Sequence, residues 1–172
     1  PHNTGGHKDL EDIWYSDYDS IKEEWREAKN LGAPLNNNGP NFICSIAPRN
    51  YYYDLLLGNY YKGNKMIAGL SIASRNEFGY SDPEKVIIEN DENLSEYANY
   101  FLTSNEQAII MSVQRRGGYG ERDLYVTFRQ NNGRWSTPLN LGDVINTAEA
   151  ETSPHLAMDN KTLYFSSAGH LG

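Results

Sequence analysis

The chain has 172 residues, 38% of them apolar, with 13 tyrosines and a formal charge of −8. That length suits one domain with a fair core, the tyrosine-rich, methionine-poor composition favours strands over helices, and the acidic balance argues against a nucleic-acid or other polyanion-binding surface. No apolar run approaches the roughly 20 residues of a membrane helix, and the single cysteine, Cys44, excludes an intramolecular disulfide framework.

In chain order, Pro1 to Lys8 reads as a loop. No secretion signal is visible, and a start at Pro1, mid-turn, has the look of an excerpt from a longer protein. Asp12 to Ser16 reads as a strand. Asp19 to Ala28 is charged and admits one or two helical turns before Trp25. Trp25 to Leu31 is an expected outer strand and Gly32 to Gly39 a polar connector. Phe42 to Ala47 and Tyr51 to Leu57 pair across Pro48-Arg49-Asn50, and Cys44 fits this run as a small buried residue. Lys65 to Ser74 alternates at Met66, Ala68, Leu70 and Ile72, the period of a long strand. Asn76 to Pro83 is a turn and Lys85 to Glu89 a strand. Glu96 to Leu102 and Gln107 to Val113 pair across Ser104-Asn105-Glu106. Asp123 to Arg129 and Arg134 to Leu139 follow. Pro154 to Ala157 and Lys161 to Ser167 close the series across Met158-Asp159-Asn160, a hairpin turn by composition.

The order of parts repeats. Glu11-Asp12-Ile13-Trp14-Tyr15 stands where Arg122-Asp123-Leu124-Tyr125 stands later. Trp25 precedes Asn30-Leu31-Gly32 as Trp135 precedes Asn140-Leu141-Gly142, and Pro34-Leu35-Asn36 matches Val144-Ile145-Asn146. From Leu31 against Leu141 the copies align without a gap at 141 − 31 = 110 residues, as far as Tyr52 to Leu56 against Thr162 to Ser166. A weaker copy, Leu102 to Ser112, fits Leu156 to Ser166 at 156 − 102 = 54. The unit is thus about half of 110, room for four strands and their turns, a period and strand count that fit a propeller blade. The expected architecture is all-β: a partial β-propeller of four-stranded antiparallel blades, one fragment of a propeller domain over 1–172. It divides into a half blade (1–38), two whole blades (39–92 and 93–148) and a half blade (149–172). Inner strands such as Ile109-Ile110-Met111 and Leu163-Tyr164-Phe165 should be covered on both faces. Asp12 and Asp123 should accept turn amide hydrogen bonds, Trp25 and Trp135 should lie across blade seams, and Gly117-Gly118-Tyr119-Gly120 should use positive φ.

On these residues the chain resembles the WD40-like β-propeller repeat of the TolB type. The signature is Gly117-Gly118, Asp123-Leu124-Tyr125, Trp135-Ser136-Thr137-Pro138-Leu139-Asn140-Leu141-Gly142, Ile145-Asn146-Thr147, Ser153-Pro154 and Leu163 to Ser167. It is full in the last copy, partial in the first and weak in the middle one, which lacks the Trp and the Asn-Leu-Gly element. Where the family has Asp-Gly at the inner hairpin, this chain has Arg49-Asn50, Asn105-Glu106 and Asp159-Asn160. The form it most resembles occurs in bacterial OmpA-family envelope proteins. The resemblance implies a non-enzymatic scaffold that mediates protein–protein interaction in an envelope complex of the periplasm or outer membrane. Peptidoglycan would be reached through an OmpA-like domain outside this chain. The alternative is a carbohydrate-binding or glycosidase- or peptidase-associated propeller.

No nucleophile elbow, phosphate loop or zinc-type cysteine pair occurs, so no catalytic, cofactor-binding or metal residue and no cofactor is assigned. His2, His7, His155 and His170 have no metal-ligand spacing; His155 reads as a hydrogen-bonded structural residue of an inner strand. Arg115, Arg116, Arg122, Arg129 and Arg134 would serve a sialidase if they converged, but strand alternation scatters them. Asn131-Asn132-Gly133-Arg134-Trp135 falls short of an Asp-box turn. Asp19-Ser20-Ile21 matches a bacterial O-glycosylation pattern, and Asn93-Leu94-Ser95 and Asn160-Lys161-Thr162 match the N-glycosylation pattern by chance. Tyr51-Tyr52-Tyr53 and Tyr60-Tyr61 offer an aromatic surface, with half-buried strand packing the simpler reading.

Overall fold

A computed structural model describes residues 11–63 and 65–171. The described residues are all-β, without a helix. Their strands are β1 (Trp14–Tyr15), β2 (Tyr18–Asp19), β3 (Glu24–Trp25), β4 (Lys29–Asn30), β5 (Ile43–Arg49), β6 (Tyr52–Lys62), β7 (Lys65–Asn76), β8 (Gly79–Tyr80), β9 (Glu84–Lys85), β10 (Asn99–Leu102), β11 (Ala108–Val113), β12 (Asp123–Phe128), β13 (Leu139–Asn140), β14 (Glu151–Leu156) and β15 (Leu163–Ser167). They form several small antiparallel sheets. The chain divides into two compact units, Pro1–Ile43 with Asp54–Lys85, and Cys44–Tyr53 with Val86–Gly172.

In the first unit β1 pairs with β4, and the chain between them makes the hairpin β2–β3. This corrects two expectations. Asp19 to Ala28 has the composition of a helix start but forms no helix, because Asp19 turns the chain. Its carboxylate accepts from the amides of Ile21 (3.1 Å) and Lys22 (3.2 Å) and meets Arg26 at 3.1 Å. Glu23 follows in the left-handed region at φ 55°. The outer strand expected over Trp25 to Leu31 is broken into β3 and β4 for the same reason. β6 and β7 then pair from Asp54↔Ser74 to Lys62↔Lys65, and Leu55, Leu56, Leu57, Leu70 and Ala73 fill the core. Both strands outrun the sequence reading. A bulge at Asn59 (φ 69°) shifts the register between Gly58 and Tyr60, and Ser71 Oγ donates to the Asn59 carbonyl at 3.0 Å. Beyond it, the Tyr61 hydroxyl donates to the Leu35 carbonyl at 2.8 Å.

In the second unit β10, β11, β12 and β13 form one four-stranded antiparallel sheet in sequence order. Its inner strand β11 is buried from Ile109 to Val113, because neighbours cover both faces. The expected strand at Arg134 to Leu139 reduces to β13 with an isolated pairing at Trp135. Residues 87–89 run parallel to Trp135: the Trp135 amide donates to the Ile87 carbonyl and the Glu89 amide to the Trp135 carbonyl, both at 2.9 Å. β14 packs against β10, β11 and β12 and pairs with β15, with a bulge at Ser153 (φ 52°). Leu163-Tyr164-Phe165 is not covered on both faces as expected. Tyr164 is 63% exposed, and Leu163 and Phe165 are half-buried.

The three inner hairpins turn alike. Asn50, Glu106 and Asn160 all take positive φ (46°, 57° and 55°), and they are the positions where the Asp-Gly pattern would place glycine. In Gly117-Gly118-Tyr119-Gly120 only Gly117 has positive φ, at 79°. Gly120 is required for space instead: a Cβ there would lie 2.5 Å from the backbone of Thr147 and Ala148.

Candidate functional site

The polar residues of the repeat build the same hydrogen-bond brace twice. In the second unit Asn140 donates to Asp123 (2.9 Å) and accepts the Gly142 amide (2.8 Å). Asn146 donates to the Asn140 side-chain oxygen Oδ1 (2.8 Å) and the Leu124 backbone carbonyl (3.1 Å), and accepts the Leu124 amide at 2.7 Å. In the first unit Asn30 donates to Asp12 (2.8 Å) and accepts the Gly32 amide (2.8 Å). Asn36 donates to Asn30 (2.9 Å) and the Ile13 carbonyl (2.9 Å), and accepts the Ile13 amide at 2.9 Å. Asn146 and Asn36 thus do the work of a strand, satisfying the amide and the carbonyl of Leu124 in β12 and of Ile13 before β1 at the point where the neighbouring ladder ends. The pairing of Ser16 Oγ with the Arg26 carbonyl also recurs, as Thr127 Oγ1 with the Ser136 carbonyl, both at 2.6 Å.

Two buried positions complete the pattern. Glu151 is fully buried and accepts from the Thr147 amide (3.0 Å), the Thr147 hydroxyl (2.7 Å) and the Ser167 hydroxyl (2.8 Å). Its amide donates to the Arg122 carbonyl at 2.8 Å, and Asn41, at the matching place, donates its amide to the Glu11 carbonyl at the same distance. Asp123 accepts the turn amides of Tyr119 (2.7 Å) and Gly120 (3.1 Å), as expected. The matching donors for Asp12 fall at 8 and 9, outside the described residues. In the second unit the side chains of Asp123, Asn140, Asn146 and Glu151 are thus spent on one another, on neighbouring hydroxyls and on backbone amides and carbonyls.

The chain matches no protein-family model, no curated protein and no solved structure.

The five arginines go to separate places. Arg115 donates to the carbonyls of Asn90 (3.0 Å) and Glu92 (3.3 Å) and lies over Tyr125, while Arg116 meets the Glu92 carboxylate at 3.5 Å. Arg122 lies over Tyr97, Arg129 pairs with Glu106 at 3.3 Å, and Arg134 is exposed in its turn. His155 departs from expectation: its ring is exposed on β14 and leans on Phe101, with centroids 4.4 Å apart. His170 Nε2 is 2.9 Å from the Ile145 carbonyl, and His2 and His7 lie outside the described residues. Among the described residues no three His, Cys, Asp or Glu side chains gather as a metal site, and no helix is long and apolar enough to cross a membrane. Cys44 is half-buried rather than buried, and burial pushes its thiol up to about 12.

Two surfaces remain. In the first unit an open cleft of about 580 Å³ is lined by Asn36, Asn37, Tyr61 and the exposed Asn38 and Asp82. The hairpin β2–β3 carries the other. Trp25 is 69% exposed, edge-on to Tyr18 at 5.4 Å, and Ile21 at the tip is 93% exposed. Trp135, the matching residue, is 2% exposed, so the two tryptophans do not share the covered position expected of both. The difference is the parallel segment 87–89, which lies beside Trp135 and has no counterpart beside Trp25 among the described residues. Of the tyrosine groups, Tyr51 is 96% exposed, while Tyr60 sits under the Lys85 ammonium. Asp19-Ser20-Ile21 is an exposed turn. Asn93 is exposed, but its side chain is engaged with backbone, accepting the Ser95 and Gln114 amides and donating to the Ser95 and Tyr97 carbonyls.

Proposed function

We propose that the chain is part of a β-propeller whose sheets are successive blades, and that it works as a non-enzymatic scaffold. Its role is to hold protein partners in a bacterial envelope complex at the outer membrane or peptidoglycan. The resemblance to TolB-type repeats supports this reading. The observation that carries it is the recurrence of one brace at a spacing of 110, with the four-stranded sheet β10–β13 leading into its second copy. A repeat whose brace residues are spent on holding its own sheets presents the rest of its surface for contact. The Tyr18–Trp25 hairpin is the contact surface to test, since exposed aromatic side chains are the usual anchors of interfaces. Capture from solubilised envelope fractions, with the chain and its Trp25→Ala variant side by side, should recover a protein that the variant loses. Identical recovery by both, or residence of the native protein in the cytosol, would refute the proposal.

The first-unit cleft favours a second reading, carbohydrate binding. Amides, a tyrosine and a carboxylate are the groups that hold sugar hydroxyls. Saturable binding of soluble muropeptides, weakened by Asn38→Ala and Asp82→Ala, would select it.

A further inference from the structure

The chain carries three short glycosylation patterns, and the structure separates them by whether the acceptor atom is free. A transferase needs its acceptor on an exposed turn with the nucleophilic atom unspent. Asn93 sends its side-chain amide to the Ser95 and Tyr97 carbonyls at 3.0 and 3.3 Å, and Asn160 sends its own to the Met158 carbonyl at 3.3 Å. In the latter pattern the Thr162 hydroxyl is also spent, donating to Asp159 at 2.7 Å. Ser20 differs. It is exposed between β2 and β3, and its hydroxyl has no hydrogen-bond partner among the described residues.

Its neighbours present it. Asp19 Oδ1 accepts the Ile21 and Lys22 amides at 3.1 and 3.2 Å, and Oδ2 meets Arg26 at 3.1 Å. Both carboxylate oxygens are thus occupied in making the turn, and neither takes the Ser20 hydroxyl. Ile21, 93% exposed, adds nothing to the core and leaves an apolar side chain beside the acceptor. Asp followed by Ser or Thr occurs nowhere else in the 172 residues. The exposure belongs to the turn itself, because the turn recurs in the second unit. The Arg26 amide bonds the Asp17 carbonyl as the Ser136 amide bonds the Phe128 carbonyl, both at 2.9 Å, and Glu23 (φ 55°) is matched by Gly133 (φ 78°). Residues 131–134 are exposed there although the segment 87–89 runs alongside Trp135. A flanking segment that covers the tryptophan therefore leaves the tip in water.

We propose that Ser20 is an O-glycosylation site, with Asp19 and Ile21 as its recognition residues. Ser20 Oγ attacks the anomeric carbon of a sugar diphosphate donor. The bond from that carbon to the diphosphate oxygen breaks, the diphosphate leaves with the electron pair, and the hydroxyl proton passes to a base of the transferase. A nucleotide-carried donor adds one sugar, and a lipid-carried donor adds an assembled oligosaccharide in one larger step, so the mass increment tells them apart. The site does not depend on the scaffold reading above.

The test is mass spectrometry of the protein purified from its own cells, first intact and then as peptides fragmented by electron transfer, which leaves sugars attached. The intact mass should exceed that of the polypeptide by whole sugar residues, and the increment should map to Ser20. Among variants made in the same cells, Ser20→Thr should keep the increment, and Ser20→Ala and Asp19→Glu should lose it completely. Ile21→Lys should lose it too, with an unchanged circular-dichroism spectrum, since that side chain stands outside the core. An intact mass equal to the polypeptide would overturn the inference. So would an increment on Asn93, Asn160 or another residue with Ser20 bare, or an undiminished increment in both Asp19→Glu and Ile21→Lys. Trp25→Ala should keep the sugar while losing the partner. A partner captured by an unmodified chain would leave only the scaffold proposal, and a sugar-bearing chain without a partner would leave only this inference.

Discussion

Asn146→Ala tests whether the braces hold the sheets. The substitution removes three hydrogen bonds: from the Leu124 amide (2.7 Å), to the Leu124 carbonyl (3.1 Å) and to Asn140 (2.8 Å). Two of the abandoned groups keep another partner. The Leu124 carbonyl still accepts the Leu141 amide at 3.0 Å, and Asn140 still accepts the Gly142 amide at 2.8 Å. The Leu124 amide keeps none, and Leu124 is fully buried. An orphaned buried donor costs about 1–3 kcal/mol and each of the other two lost bonds about 0.5–1.5, so the expected loss is about 2–6 kcal/mol. Urea unfolding followed by tryptophan fluorescence measures it, with the buried Trp135 as reporter. Asn36→Ala orphans the Ile13 amide in the same way and serves as the internal comparison. A loss below about 0.5 kcal/mol for Asn146→Ala, the range of an ordinary surface substitution, would refute the reasoning.

The two matching tryptophans should behave oppositely. Trp135→Ala empties a buried site and should cost about 3–5 kcal/mol by urea unfolding, whereas Trp25→Ala should stay within about 0.5. Gly120→Ala drives a Cβ against the Thr147–Ala148 backbone and should cost about 1–3 kcal/mol, with Gly120→Ser no better. The Lys161 and Thr162 amides and the Thr162 hydroxyl hold the Asp159 carboxyl below the usual carboxylate range. A depressed folded value means this turn's contribution is present above the unfolded carboxyl range and is lost as pH falls through the folded one. NMR titration should place Asp159 low, and Asp159→Asn should remove that part of the acid dependence; an ordinary titration would refute it.

What was legible in the sequence follows from the range of the forces involved. Alternation marked β7, the apolar run Ile109-Ile110-Met111 marked β11, and the turn residues at Asn50, Glu106 and Asn160 marked the hairpins, because these signals are local. The repeat was legible because the brace needs Asp, Asn and Gly at fixed places. The job those residues do was not: Leu124 and Asn146 lie 22 residues apart, and only the fold brings them together. The hairpin at Tyr18–Trp25 was missed because Glu23-Glu24-Trp25-Arg26-Glu27-Ala28 carries helix-forming side chains. The Asp19 turn and tertiary pairing outweigh that weak preference. The exposure of Trp25 was illegible for a similar reason, since burial of Trp135 depends on a segment more than forty residues upstream.

The ten residues from Leu141 to Ala150 belong to no strand, yet Asn146 ties their middle to β12 and the Ile145 and Asn146 amides bond the Gly142 carbonyl. Such a connector should resist proteases and exchange its Asn146 and Leu124 amide protons about as slowly as the neighbouring ladder. Opening it requires the side chain to let go of two backbone groups at once, so the passage from one sheet to the next is as firmly clasped as the sheets themselves.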